Sequence, residues 1–175
     1  MTVQAGDFAY RIEPLARHHD RDGFSSGVDS LDRYLKTQAS QDSRRMANAV
    51  FVLVEPAAPE HILGYFTLCA FTLAPGAVPE TARRHIPRYP LVSATLIGRL
   101  AVARERQGQG LGGMLLARAM RMAYENAVVV GSSMIVVDSI DENAQRFYEA
   151  HGFLRLADTM RMIIPMAVVA EHVLK

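Results

Sequence analysis

The chain has 175 residues, and 50% of them are apolar, which supports one domain over residues 1–175 with a substantial core. A formal net charge of +1 does not by itself indicate a nucleic-acid-binding protein. No apolar run reaches the roughly 18 residues of a membrane span, the N-terminus lacks the features of a secretory signal, and one cysteine excludes a disulfide framework. These features favour a cytoplasmic protein that holds no metal.

The chain opens with a predicted strand and a polar loop. Phe8–Leu15 has the pattern of a strand that ends near a proline. The polar loop that follows contains the adjacent histidines His18 and His19. Adjacent side chains point in different directions and no third metal ligand stands nearby in the sequence, so we interpret this loop as solvated.

A helix and two strands are predicted next. Asp29 is a suitable N-cap for the helix. Apolar residues recur along one face of that helix at Val28, Leu31, Leu35 and Ala39. Val50–Val54 predicts a short buried strand, and Ile62–Leu73 predicts a central strand covered on both faces. Cys69 lies in this second run and is expected to be buried.

The segment from residue 75 to residue 90 has a different character. Prolines interrupt it, and its charged groups are mainly basic, with one acid, Glu80, opposing them. The basic side chains are Arg83, Arg84, His85 and Arg88. Two interpretations stay open: a solvated surface, or a basic lip that meets phosphate groups at the mouth of a site.

A glycine-rich turn joins a predicted strand to a predicted helix in the second half of the chain. The strand is Leu96–Val102 and the helix is Leu111–Asn126. Glycines at such a junction let the backbone approach a ligand, and the N–H groups at the helix start can then bind phosphate. The letters also fit a dinucleotide motif, but the turn lies past the middle of the chain rather than in an opening βαβ unit. A nucleotide P-loop is excluded because no Lys-Ser/Thr pair follows Gly112.

The remaining elements alternate between strands and helices. The glycine-loop helix is expected to bury Leu111, Leu115, Ala119, Met122 and Ala123. Ser133–Asp138 predicts a strand, and Asp141 predicts the N-cap of a helix that ends near His151, with Gly152 as a left-handed stop. Met160–Met166 predicts the last strand, followed by a short helix within 167–175.

The order Gln107-x-x-Gly110-x-Gly112, preceded by Arg-Leu-Ala-Val, resembles the pyrophosphate loop of the GNAT family of N-acetyltransferases. The resemblance implies an α/β (α+β) fold, in which a mixed central β-sheet is flanked by helices and its strands splay apart at the acetyl-CoA site. It implies acetyl-CoA as co-substrate and no metal. The residues expected to contact the coenzyme are Leu100, Ala101, Val102, Gln107, Gly108, Gln109, Gly110, Leu111, Gly112, Gly113, Asn143 and Phe147.

A second block, from Asn143 to Phe153, also matches the family, through Tyr148 and the following Gly-Phe pair. The family position implies that Tyr148 is the general acid that protonates the departing thiolate. The usual asparagine of this block falls on Asp141, and Asn143 is displaced by two positions. Backbone N–H groups near Ala101 and Val102 are the expected oxyanion donors.

A general base is less evident, and Glu105 and His85 are the candidates. An α-amine with a pKa of about 7.7–8.0 is largely neutral at cellular pH, whereas a lysine-type amine with a pKa of about 10.4 needs a base. The lack of a clear base therefore points towards an α-amine substrate.

A narrower resemblance covers nearly the whole chain. The pattern Phe24-x-x-Gly27-Val28-x-x-Leu31-x-x-Tyr34-Leu35, together with the two blocks above, looks like the acetyltransferase toxins of bacterial toxin–antitoxin pairs. This implies acetylation of the α-amino group of aminoacyl-tRNA, which blocks translation, together with a homodimer and a ribbon-helix-helix antitoxin. The side chains expected to contact tRNA are Arg83, Arg84, Arg88 and Arg99. The alternative is a GNAT enzyme acting on a small-molecule amine or a protein N-terminus.

Overall fold

The structure is a computed structural model that describes residues 10–157 and 159–174. Its strands in this part of the chain are β1 Arg11–Pro14, β2 Ala49–Val54, β3 Gly64–Leu73, β4 Val92–Val102, β5 Met134–Asp138, β6 Leu154–Arg155 and β7 Arg161–Pro165. Its α-helices are α1 Asp29–Thr37, α2 Ala39–Arg44, α3 Glu80–Arg83, α4 Leu111–Val129, α5 Glu142–Ala150 and α6 Met166–Val173. Single 3-10 turns occur at Pro75–Ala77 and Arg104–Arg106.

The strands form one mixed sheet in the order β1-β2-β3-β4-β5-β7-β6. Strands β4 and β5 are parallel, and α4 lies between them in the chain as the crossover that a parallel pair requires. The pairs β1–β2, β2–β3, β5–β7 and β6–β7 are antiparallel. The predicted mixed sheet flanked by helices is confirmed. No helix in the described residues is long and apolar enough to cross a bilayer.

The chain divides into two compact units. The first comprises Met1–Leu68 and Arg99–Ala117, and the second comprises Cys69–Gly98 and Arg118–Lys175. Each unit has its own apolar cluster. That of the first contains Phe24, Tyr34, Leu35, Ala39, Val50, Val52, Val54, Ile62, Tyr65, Ala101 and Ala103. That of the second contains Val78, Ala82, Ile86, Val92, Ala94, Met134, Val136, Leu156 and Ile163. The interpretation of residues 1–175 as a single domain stays a prediction.

The predicted N-cap of the first helix is wrong. Helix α1 begins at Asp29 itself, and Val28 occupies the N-cap position without a side-chain hydrogen bond. Asp29 instead lies in the first turn, where the helix dipole favours a carboxylate. The single predicted helix is also divided at Gln38, so the buried Ala39 belongs to α2.

Several other boundaries and burials differ from the predictions. The described part of the first strand is Arg11–Pro14, and the predicted residues 8 and 9 lie outside the described residues. Strand β3 is buried only over residues 64–67, and beyond them its side chains, Cys69 included, are partly or fully exposed. Helix α4 buries Leu116 completely and Met122 only in part. Burial of this kind depends on neighbouring elements, which periodicity along one element does not specify.

Candidate active site

The glycine loop adopts the conformation that its glycines allow. Gly108 has a φ of 79° and Gly110 a φ of 81°, a region that disfavours residues with a Cβ atom. A Cβ at either position would meet no atom within 4 Å, so open space lies beside the backbone there. These two glycines therefore allow the backbone conformation and leave the backbone open to a ligand, and they are not needed for close packing. A loop that binds a phosphate group requires both properties.

Helix α4 begins directly at the end of this loop. Its first helical hydrogen bond runs from the N–H of Met114 to the carbonyl of Gly110, 3.2 Å apart. The N–H groups of Leu111, Gly112 and Gly113 precede that bond, and the first N–H groups of a helix have no intrahelical acceptor. These donors lie at the positive end of the dipole of a 19-residue helix, an arrangement that favours an anion.

The side chain of Gln107 holds the loop in place from within the first unit. Its amide nitrogen donates to the carbonyl of Ser26 at 2.8 Å and to that of Val102 at 3.1 Å. The predicted contact of Gln107 with coenzyme stays a prediction. The hydrogen bonds found give this side chain a positioning role, since they tie the end of β4 to the 24–28 segment.

Sequence reasoning did not recognise the reason for Gly27. Its φ is 89°, and a Cβ there would lie 2.8 Å from a guanidinium nitrogen of Arg104. The backbone N–H of Arg104 donates to the carbonyl of Ser25 at 2.8 Å. Asp32 fixes the same segment, since it accepts from the N–H of Ser26 at 2.8 Å and from its hydroxyl at 2.6 Å. The 24–28 segment therefore buttresses the approach to the glycine loop.

The C-terminal end of β4 carries the residues expected beside the acetyl group. The register between β4 and β5 ends where Ile97 pairs with Val137, whereas β4 continues to Val102. The backbones of β3 and β4 lie close together at this end, since a Cβ on Gly64 would lie 2.8 Å from the carbonyl oxygen of Ala101. The end of β4 therefore extends past its pairing with β5, as expected of a strand that splays.

Arg99 is held by neighbours in the first unit. Its guanidinium carbon lies 3.5 Å from the centroid of the Tyr34 ring, in a cation–π contact. The hydroxyl of Tyr34 donates to Asp42 at 2.9 Å, and burial together with this bond raises the pKa of Tyr34 to about 12. The sequence left open whether Arg99 supports the fold or meets substrate. The contact with Tyr34 gives it a structural role, and its expected contact with tRNA stays a prediction.

Helix α5 presents the second block of expected site residues. Asp141 is its N-cap, as predicted, and accepts from the N–H of Ala144 at 2.8 Å. Its carboxylate is therefore used for capping. Asn143 lies in the first turn with an exposed side chain that accepts from Arg146. Its expected contact with coenzyme stays a prediction.

Tyr148 lies further along α5 and, unlike Asn143, is buried, with 8% of its surface exposed. Its ring contacts those of Phe147 and Phe153, at centroid distances of 5.2 and 5.5 Å. Gly152, with a φ of 95°, ends the helix and directs Phe153 against it. Within the described part of the chain, the Tyr148 hydroxyl has no hydrogen-bond partner.

The electrostatics of Tyr148 follow from its burial. Burial disfavours the phenolate and raises the pKa of Tyr148 to about 12. The hydroxyl is therefore protonated throughout the physiological pH range. This side chain can act as a proton donor.

The candidate bases have other partners. Glu105 lies 3.4 Å from His61 in a half-exposed pair in the first unit. His85, in the second unit, accepts through Nε2 from the guanidinium of Arg84 at 3.1 Å. Neither arrangement marks a dedicated base.

The 75–90 segment is ordered around a turn and a short helix. The guanidinium of Arg83 donates to the carbonyl of Val78 at 2.9 Å and to that of Gly76 at 2.7 Å. Arg84 and Arg88 are exposed and, with Arg83, line a cavity of about 750 Å³. Arg83 thus fixes the loop, and its expected contact with tRNA stays a prediction.

The loop that contains His18 and His19 is interpreted from its sequence as solvated. That interpretation is wrong for His19, which is 3% exposed. Glu13 supplies the third group that the sequence did not show, and lies within 4.8 Å of both histidines. The backbone N–H of Ala16 donates to His19 Nδ1 at 2.9 Å, so neutral His19 carries its proton on Nε2, which lies 2.8 Å from Glu13. A metal bound to Nε2 would require the ring proton to be on Nδ1. That nitrogen could then no longer accept the hydrogen bond from the N–H of Ala16. The geometry favours a hydrogen-bonded cluster over a metal ligand set.

Comparison with known proteins identifies the family. The family described as acetyltransferase (GNAT) domain matches residues 48–155, more than half of the chain. The chain belongs to the GNAT family. Among GNAT proteins, a tRNA-acetylating toxin of Mycobacterium tuberculosis (strain ATCC 25618 / H37Rv) is 33% identical over 134 residues, which cover 77% of this chain and 78% of the toxin. The predicted resemblance to GNAT toxins is confirmed.

Solved GNAT structures share the fold over nearly the whole chain. AtaT complexed with acetyl-methionyl-tRNAfMet matches with a TM-score of 0.86 at 27% identity, covering 95% of this chain and 99% of that one. AtaTR bound with acetyl-CoA matches with a TM-score of 0.81 at 27% identity and the same coverage. An AtaT mutant bound to the C-terminus of the antitoxin AtaR matches with a TM-score of 0.80 at 25% identity, again over 95% and 99% of the two chains.

Proposed function

We propose that this protein transfers acetyl from acetyl-CoA to the α-amino group of aminoacyl-tRNA and thereby blocks translation, as the toxin of a toxin–antitoxin pair. The observation that carries this proposal is the likeness to AtaT with acetyl-methionyl-tRNAfMet, which extends over 95% of the chain. The 33% identical relative, named a tRNA-acetylating toxin, supports it independently. Because charged tRNA is a cytoplasmic molecule, we place the activity in the cytoplasm.

The glycine loop fits the diphosphate of acetyl-CoA. The open space beside Gly108 and Gly110 and the N–H groups that start α4 supply room and donors for an anion. Bound acetyl-CoA supplies an activated thioester. Residues Leu100–Val102 would hold the acetyl arm through their backbone, with N–H groups near Ala101 stabilising the developing oxyanion. Gln109, Asn143 and Phe147 are further proposed contacts of the coenzyme.

Tyr148 is proposed as the general acid. Its hydroxyl holds a proton at neutral pH and has no partner within the described residues. Complete transfer from a phenol of pKa about 12 to a thiolate of pKa about 8.5 would be uphill by roughly 5 kcal/mol. We therefore propose that Tyr148 protonates the departing sulfur while its phenol oxygen takes up the proton that the attacking nitrogen loses, so that the C–S bond breaks, the amide and the thiol form, and no free phenolate accumulates.

The proposed acceptor matches the lack of a dedicated base. The α-amine of an aminoacyl ester has a low enough pKa for a substantial neutral fraction at cellular pH. The cations on the 75–90 segment suit the phosphates of tRNA, and they would read backbone and shape rather than sequence.

The partners expected from the sequence extend the same proposal. We propose that an antitoxin of the ribbon-helix-helix type neutralises the protein, that the protein is a homodimer, and that residues 1–175 act as one GNAT domain. The AtaT complex with the C-terminus of AtaR supports an antitoxin partner. Light scattering of the purified chain, alone and with the product of a neighbouring gene, tests the dimer and the antitoxin.

The decisive experiment measures transfer of labelled acetyl from acetyl-CoA to charged tRNA. Uncharged tRNA, free amino acids and peptide N-termini serve as alternative acceptors. Label on charged tRNA alone, strongly reduced in Tyr148→Phe, is the expected result. Label on a free amine or a peptide, with none on charged tRNA, would overturn the proposed substrate and leave the acetyltransferase activity standing.

A further inference from the structure

The cavity beside α3 is lined by residues of one polar loop. We call it the 75–89 cavity. Its lining residues are Pro75, Gly76, Glu80, Arg83, Arg84, Ile86, Pro87, Arg88 and Tyr89. Its volume of about 750 Å³ falls within the roughly 300–1,000 Å³ of small-ligand sites. A single nucleotide is a ligand of that size class.

The walls of this cavity are fixed by the fold of the second unit. Val78 and Ala82 are each 1% exposed and belong to its apolar cluster. Ile86, at 8% exposed, forms part of the lining and packs in the same cluster. The two hydrogen bonds from Arg83 to backbone carbonyls close the loop over these anchors. The cavity is therefore formed before any ligand arrives.

The charge of the lining is positive. Three arginines face one acid, Glu80, and the guanidinium of Arg83 is used by the loop itself. Arg84 and Arg88 are exposed, and the guanidinium fork suits phosphate oxygens. The lining therefore favours an anionic ligand.

Tyr89 gives the cavity an aromatic face. Its side chain is 64% exposed, whereas Tyr34, Tyr65 and Tyr148 are buried. Pro90 follows it, and the residue before a proline is restricted to extended backbone. An exposed ring on a restricted backbone is a stacking surface whose ordering costs little entropy.

We infer that the 75–89 cavity holds an unpaired nucleotide of the acceptor end of tRNA, with its base stacked on Tyr89 and flanking phosphates on Arg84 and Arg88. The inference rests on the proposed function and extends it to a subsite. A stacked base uses the ring and the cations together, as in the recognition of single-stranded RNA. An acidic peptide would use the arginines and leave the aromatic face without a partner, so the nucleotide is favoured.

The test compares three variants. Tyr89→Leu keeps apolar bulk and removes the aromatic face, Tyr89→Phe keeps the face, and Leu91→Ala is the matched control because Leu91 is 61% exposed nearby. Base–aromatic stacking predicts a roughly 5- to 150-fold rise in KM for charged tRNA in Tyr89→Leu. We expect an unchanged KM for acetyl-CoA in that variant, and tRNA kinetics close to wild type in Tyr89→Phe and Leu91→Ala.

A binding measurement separates this inference from the proposed function. An acceptor-stem minihelix with 2-aminopurine as its unpaired 3′-terminal base is titrated with protein, with no acetyl-CoA present. Quenching of its fluorescence by wild type and Tyr89→Phe, with loss of quenching in Tyr89→Leu, is expected even if no acetyl transfer to tRNA occurs. Equal quenching and equal KM in Tyr89→Leu and wild type would overturn the inference. The inference would also be overturned if Tyr89→Leu impaired only neutralisation by antitoxin, because that result would show that the cavity binds a peptide.

Discussion

At the scale of single residues, the buried tyrosines differ in what their hydroxyl groups do. Tyr34 donates to Asp42, and Tyr65 donates to the carbonyl of Leu31 at 2.6 Å. Tyr148 has no such partner in the described part of the chain. Among the described residues, the one fully enclosed side-chain polar atom without a partner is Oγ1 of Thr67, so the Tyr148 hydroxyl reaches accessible surface although its ring is buried. It is therefore placed to meet a ligand, as a proton donor must be. The sequence predicted the position, but the missing partner is visible only in the structure.

Tyr148→Phe should separate activity from stability. We expect a loss of about 10²- to 10⁴-fold in kcat, the usual contribution of a general acid. The free energy of unfolding should change little, because the hydroxyl makes no hydrogen bond within the described residues. Tyr34→Phe is the control, and it should lower stability by about 1 kcal/mol because its bond to Asp42 is removed. Near-normal turnover in Tyr148→Phe would remove this side chain from the acid role.

The pH dependence of the rate should reflect the substrate amine. Because burial raises the pKa of Tyr148 to about 12, the protonated form that donates persists as pH rises through 9. The neutral fraction of the acceptor amine increases with pH over the same range. Single-turnover rates should therefore rise from pH 6 and level off above the pKa of the amine. A decline between pH 8 and pH 9 would show that the acid titrates far below the pKa that burial implies.

At the scale of elements, the 24–28 segment and the glycine loop support each other. Gln107, Arg104 and Gly27 connect them within the first unit. The sequence pattern marked both segments but offered no reason for their association. Contacts between residues about 80 positions apart are a property of the tertiary structure.

Gly27→Ala should disturb the glycine loop. The φ of 89° disfavours alanine, and the new Cβ would displace the Arg104 guanidinium. We expect a loss of about 1–3 kcal/mol in stability, together with a several-fold higher KM for acetyl-CoA. Gly131→Ala is the matched control, since a Cβ there meets nothing within 4 Å. Thermal unfolding and coenzyme titration measure both effects, and equal behaviour of the two variants would refute the coupling.

Gly110→Ala tests the phosphate cradle itself. The positive φ is strained for alanine, and the methyl group would enter the open space beside the loop. We expect the Kd of acetyl-CoA to rise more than tenfold, which corresponds to about 1.4 kcal/mol or more. Calorimetric titration measures it, with Tyr148→Phe as the control that should bind coenzyme normally. Unchanged affinity in Gly110→Ala would place the diphosphate elsewhere.

At the scale of the whole molecule, the net charge of +1 does not reveal that positive charge is concentrated in the 75–90 segment. The 75–90 segment collects its arginines on one loop, and the sequence pattern showed this before the structure did. What it could not show is that these arginines divide into two kinds. Arg83 closes the loop, whereas Arg84 and Arg88 face outward.

Binding of tRNA should therefore depend on salt through Arg84 and Arg88. Replacing both by Gln should weaken binding at low salt and reduce the slope of log Kd against log salt by about 0.7 for each single-strand phosphate that is no longer neutralised. Arg83→Gln should mainly lower the free energy of unfolding. Filter binding across a salt series, together with thermal melts, distinguishes these outcomes. An unchanged slope in the double variant would make the segment a solvated surface.

Local patterns in the sequence were enough to predict the order of the main strands and helices, the glycine loop, the Asp141 cap and the family. These features depend on local signals: hydrophobic periodicity, glycine at positive φ, and a side chain that caps its own helix. The break at Gln38, the partial exposure of Cys69 and the burial of His19 beside Glu13 could be seen only in the folded chain. Each depends on groups brought close by folding, and spacing along the chain carries no information on which distant groups will meet.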